Sequence, residues 1–156
     1  MKRICILLLA LMPVQVMAQE ITIDKERKDV VYTNIVTSAA TYDDLLEYIL
    51  AYGVLDNVVT HRNMIAGDLP LAAIDYEAAG YSRMKLPLYL VNGEFTCRII
   101  IHSYEGQYDV EACKMRSIST DGDLGTSWLY DFDHTSSFDT VIGLVMMHLN
   151  NIAVFE

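Results

Sequence analysis

Residues 97–113, CRIIIHSYEGQYDVEAC, alternate apolar and polar side chains on either side of a Glu-Gly pair. A period of two marks β-strands with one buried face, so a hairpin is expected here. Two registers compete. A three-residue turn over Tyr104, Glu105 and Gly106 sets Cys97 opposite Cys113, but also Ile101 opposite Asp109 and Ile99 opposite Glu111. A two-residue turn of Glu105 and Gly106 pairs Tyr104 with Gln107, Ile101 with Val110, Ile99 with Ala112 and Cys97 with Lys114. That register gathers Cys97, Ile99, Ile101, Val110 and Ala112 on one apolar face, with Arg98, His102, Asp109 and Glu111 on the other. Burying a large apolar side chain is worth about 1.5–3 kcal/mol, against about 1 kcal/mol for Glu at an awkward turn position. The faces decide, since a slip of one residue turns every side chain over. Cys97 and Cys113 then point to opposite sides, and no disulfide can join them within the hairpin.

The chain opens MKRICILLLALMPVQVMAQE. A basic start, a short apolar run and small residues at Val16 and Ala18 predict a cleavable secretory signal over residues 1–18, cut after Ala18. The run is too short to span a bilayer, and Cys5 lies inside it. A flexible lead-in over 19–29 and a single domain over 30–156 are expected to follow. The leader carries only Lys2 and Arg3, so its loss takes the net charge from −10 to −12. Such a field repels nucleic acid. Export places the chain in the periplasm or outside the cell, and no membrane span is expected in what remains.

DVVYTNIV (29–36) reads as a strand. TYDDLLEYILAYG (41–53) reads as a helix, with Thr41 as cap, Asp43 and Asp44 in its first turn and Gly53 as its stop. NVVTHR (57–62) and LPLAAIDY (69–76) are strand candidates separated by a turn at Ala66, Gly67 and Asp68. EAAGYS (77–82) is a turn, RMKLPLYLV (83–91) an edge strand marked by Pro87, and NGEF (92–95) a turn into the hairpin. Residues 116–137 read as a loop holding Trp128. Phe138, Val141, Ile142, Val145, Leu149 and Ile152 form the stripe of a second helix over 137–152, with Ser136 and Asp139 at capping-box spacing.

The order strand, helix, antiparallel strands, helix, with FTCRIIIHSYEGQYDVEA following TYDDLLEYIL, resembles a bacterial family of exported domains of unknown function with a TATA-box-binding-protein-like fold. The resemblance covers residues 30–118 and rests on the alternating isoleucines, the Gly106 turn and Tyr108. It implies an α+β fold, a curved antiparallel sheet with two helices packed on one face. It implies no activity, cofactor or DNA binding.

Chemistry is sparse. His102 and Asp109 face each other across the hairpin, which is ordinarily a cross-strand ion pair worth about 0.2–1 kcal/mol. As a general base the pair lacks a nucleophile, because Ser103 points to the other face. Asp131, Asp133 and His134, near the Asp-Gly-Asp of 121–123, offer divalent-metal ligands without calcium-loop or zinc spacing. Solvated turn residues are the ordinary role of such a cluster. His61 and His148 have no readable partner. No phosphate loop, cysteine metal cluster or nucleophile elbow is present. The expectation is a non-catalytic binding module for a protein, peptide or small ligand. Its contact surface is Arg98, Ile100, His102, Tyr104, Asp109 and Glu111, or the proline-marked edge near Leu69 or Leu86. The rivals are a metal-binding protein or metal-dependent hydrolase built on 131–134, and a structural part of an envelope assembly.

Overall fold

The computed structural model describes residues 19–120 and 125–152. The secretory signal expected over residues 1–18 and the Asp-Gly-Asp of 121–123 lie outside the described residues. Among the described residues, seven strands form one open antiparallel sheet: β1 (Glu20–Asp24), β2 (Asp29–Thr37), β3 (Asp56–His61), β4 (Met64–Asp68), β5 (Gly93–Tyr104), β6 (Gln107–Ser119) and β7 (Thr126–Trp128). The order is β1-β2-β6-β5-β4-β3, with β7 also pairing with β6. The helices are α1 (Tyr42–Tyr52), α2 (Leu88–Val91) and α3 (Phe138–Asn150).

α1 is built as its sequence directs. The Thr41 hydroxyl accepts from the Asp44 amide at 3.2 Å, the Asp44 carboxylate accepts from the Thr41 amide at 2.8 Å, and Gly53 stops the helix at φ 60°. The Thr41 amide, and the Thr41 hydroxyl donating at 2.7 Å, hold the Asp44 carboxyl below its usual pKa. α3 begins differently. Its N-cap is Ser137, with no side-chain cap bond, so the box expected from Ser136 and Asp139 is absent.

Leu45 and Ile49 of α1 and Phe138, Val141, Ile142, Leu144, Val145 and Leu149 of α3 join one core with the inward residues of the sheet. α3 is tied to that face by the Tyr32 hydroxyl, which donates to Asn150 Oδ1 at 2.6 Å, and by His148, edge-on to Phe95 at 5.6 Å. The predicted α+β class and helical layer are present, but the curved, TATA-box-binding-protein-like sheet is not. The sheet is open and not strongly curled. Strong curvature is built from repeated bulges, and only two register irregularities interrupt the ladders among the described residues.

The hairpin takes the two-residue register: Tyr104 pairs with Gln107, His102 with Asp109, Ile101 with Val110 and Ile99 with Ala112. Of the two turn residues only Gly106 has positive φ, at 79°, so Glu105 avoids the left-handed region that a type I′ turn would have demanded. The register then shifts between Thr96 and Arg98, and the expected Cys97–Lys114 pair is lost. Lys114 is the extra residue, at φ 52°, and its amide donates to both Asp29 carboxylate oxygens at 3.0 and 2.9 Å. The bulge inverts the alternation of β6, so Met115 and Ser117 turn into the core where Val110 and Ala112 had done so. Both thiols are free. Cys97 sits between inward Phe95 and Ile99, while Cys113 pairs with outward Arg98.

Several other expectations are corrected. Residues 20–24 are an edge strand, β1, paired in register with β2, not a flexible lead-in. Ala66, Gly67 and Asp68 lie in β4, not in a turn. LPLAAIDY is held by burial of Leu69 and Ile74 and by one bridge, Ala72 to Phe95, rather than as a strand. RMKLPLYLV is a 3-10 turn followed by α2, with Pro87 as N-cap, and Gly93 already starts β5. Within 116–137, residues 116–119 continue β6, 126–128 form β7, and Leu129–Phe132 make a 3-10 turn.

Candidate functional site

Helices cover one face of the sheet, and the other is left open. Because paired residues share a face, the open side carries Val31, Thr33, Ile35 and Thr37 of β2, Asp109, Glu111 and Cys113 of β6, and Arg98, Ile100, His102 and Tyr104 of β5. β1 adds Glu20 and Thr22.

The depressions on this face include two that share Glu111. The first, about 320 Å³, is lined by Glu20, Thr33, Asn34, Ile35, His102, Asp109, Val110 and Glu111. Three of these are carboxylates, and neither Lys nor Arg is among them. The second, about 610 Å³, is lined by Arg27, Lys28, Asp29, Ile100, Glu111, Cys113, Lys114 and Trp128. Asp29 accepts from the amides of Lys114 and Val30, at 2.9 Å in each case, and Arg27 is paired with Asp24 at 3.4 Å, which leaves Lys28 and Lys114 as the unspent cations beside Trp128 and Glu111. Arg116 lies over the Trp128 ring at 5.2 Å from its centroid and fixes that wall. The depressions meet at Glu111.

Of the six residues proposed from sequence, Ile100, His102, Asp109 and Glu111 line these depressions. Arg98 shares the face but is spent on Asp68, at 3.0 Å. Burial alone would raise the Asp68 pKa. The hydrogen bonds from Arg98 and Asn57, with the charges of Arg98 and Arg116, outweigh it and hold the carboxyl below its usual range. Tyr104 stands exposed at the hairpin tip, outside both depressions. His102 and Asp109 face each other in register, but the Asp109 carboxylate accepts from Gln107 Nε2 at 3.3 Å, and no ion pair joins it to His102. The proline-marked edge is not an edge, since Leu69 and Leu86 are both core residues.

Glu20, Arg27, Lys28, Lys114 and Trp128 were not foreseen. The first three depend on β1 and its turn. The period-two pattern of Ile21 and Ile23 was the available signal, masked by the surrounding charges. Lys114 needed the bulge to be known, and Trp128 needed β7.

Burial, with Glu111 and Asp29 nearby, pushes the Cys113 thiol up to about 11, so it stays protonated at neutral pH. Ser103 is buried on the opposite face. Asp133 and His134 approach each other at 3.6 Å as chain neighbours, and no group of three metal-ligating side chains gathers among the described residues. No helix among them is long and apolar enough to cross a membrane. Compared with family models, curated proteins and solved structures, the chain matches none.

Proposed function

We propose that the chain is an exported, non-catalytic binding module whose open sheet face takes an extended dipolar ligand. The ligand's cationic group sits among Glu20, Asp109 and Glu111, and its anionic group sits between Lys28 and Lys114. The observation that carries this reading is the pair of oppositely lined depressions meeting at Glu111. Asp109 and Lys114 are five steps apart on β6, about 15 Å at strand spacing, which matches a short extended peptide with opposite charges at its ends. Ile100 and Ile35 supply the apolar floor, and Trp128 closes one end. The leader read over residues 1–18 supports export.

Calorimetry on the chain from Gln19 tests this, with the acetylated and amidated tetrapeptide lysyl-valyl-valyl-glutamate as probe. Neutralising either end of the probe is expected to weaken binding about tenfold, as is Asp109→Asn or Lys28→Gln, because a hydrogen bond to a charged group contributes about 1.5–3 kcal/mol. Absence of heat, or equal affinity for all three peptides, contradicts the reading.

A further inference from the structure

From Ala78 to Gly93 this strongly acidic chain carries no acid and two cations, Arg83 and Lys85. Between those cations stands Met84, 97 % exposed, and four residues on, past the extended Leu86 and Pro87, Leu88 is 64 % exposed. Both belong to a firmly held segment. Leu86 and Leu90 are buried in the core on either side of Leu88, and Tyr89 stacks on Phe132 at 4.1 Å between centroids. Arg83 donates to Asn92 Oδ1 at 2.8 Å, which fixes the base of the protrusion. Leu86 and Leu90 serve the core, whereas Met84 lies outside it and Leu88 mostly so.

We infer that this protrusion docks on an anionic lipid surface, with Met84 and Leu88 entering the acyl boundary and Arg83 and Lys85 at the headgroups. Charge complementarity selects that occupant. Lys85, beside the apolar tip, can extend along it and keep its charge at the headgroup level while the tip is immersed, and Arg83, held at the base by Asn92, carries its charge there already. Tyr81, also exposed, stands at the start of the same segment, at a position suited to the interface. The net negative charge of the rest of the chain does not prevent this, because at physiological salt its repulsion is screened beyond about 8 Å. One short apolar tip gives reversible association, not anchoring. The inference is independent of the ligand assigned to the open face.

Co-sedimentation with vesicles tests it, using the chain from Gln19, which contains every strand, helix and core residue described. Vesicles of phosphatidylcholine with about one-third phosphatidylglycerol are expected to retain the protein at least about tenfold better than phosphatidylcholine alone, with the difference fading at high salt. Met84→Ser with Leu88→Ser is expected to reduce retention about tenfold, and Arg83→Gln with Lys85→Gln to remove the preference for anionic lipid. All four side chains are exposed, so an unchanged melting curve verifies that the variants fold. Equal retention on neutral and anionic vesicles, or variants retained like the parent, overturns the inference. So does an absence of retention on both, which would leave an acidic protein surface as the occupant.

Discussion

The two faces of the β5–β6 hairpin share a backbone and differ in almost everything else. Inward, Ile99, Ile101, Val110 and Ala112 are at most 1 % exposed and pack beneath the helices. Outward, the residues between them, Ile100, His102, Asp109 and Glu111, line depressions that no helix covers. A strand of period two can thus divide its labour, with one set of side chains supplying stability and the interleaved set left free for recognition. The division holds only while the register holds, and the Asp29 carboxylate on the Lys114 amide is the bond that fixes where the register changes.

The contrast predicts unequal costs for equal truncations. Ile101→Ala should lose about 2–5 kcal/mol in urea unfolding, and Ile100→Ala less than about 1 kcal/mol; similar losses would break the two-face picture. Asp29→Ala leaves the bulge amide of Lys114 without its acceptor and should cost about 1–3 kcal/mol, read in the same experiment. Lys114→Gly should act in the opposite sense. Relief of the left-handed strain, less the added freedom of the unfolded chain, leaves a gain of about 0.5–1 kcal/mol, together with weaker binding of the dipolar peptide. A gain in stability with no loss of binding would detach Lys114 from the site.

The smallest effect is pH-dependent and belongs to the covered face. Burial lowers the His148 pKa below 6.5, so between that lowered value and 6.5 the unfolded chain holds a proton that the folded chain does not. Stability therefore falls as pH drops through this window and levels off below the folded value. Melting curves between about pH 8 and 5 should show the decline, and His148→Leu should remove that part of it.

The division of faces was legible in the sequence because the isoleucine alternation is strong and a one-residue slip would bury Asp109 and Glu111. α1 was equally legible, from Thr41, Asp44 and Gly53. What failed were places where local chemistry and tertiary role diverge. Gly67 looks like a turn residue, but it lies in β4 because a Cβ there would come within 2.8 Å of Leu55 Cβ. Pro87 suggested a strand edge and instead starts α2. β1 has only Ile21 and Ile23 to signal it, and without β1 the acidic and basic linings contributed by Glu20, Arg27 and Lys28 cannot be assembled. Element order was likewise insufficient to specify curvature, which is why the expected saddle is an open sheet.

The account rests on one set of isoleucines serving the core while its neighbours serve a ligand, and methyl spectra read both at once. On titrating the chain from Gln19 with the lysyl-valyl-valyl-glutamate probe, the methyl signals of Ile35 and Ile100 should move with saturation while those of Ile65, Ile99 and Ile101 stay fixed. Movement confined to the buried three, or no movement in any of the five, would contradict it.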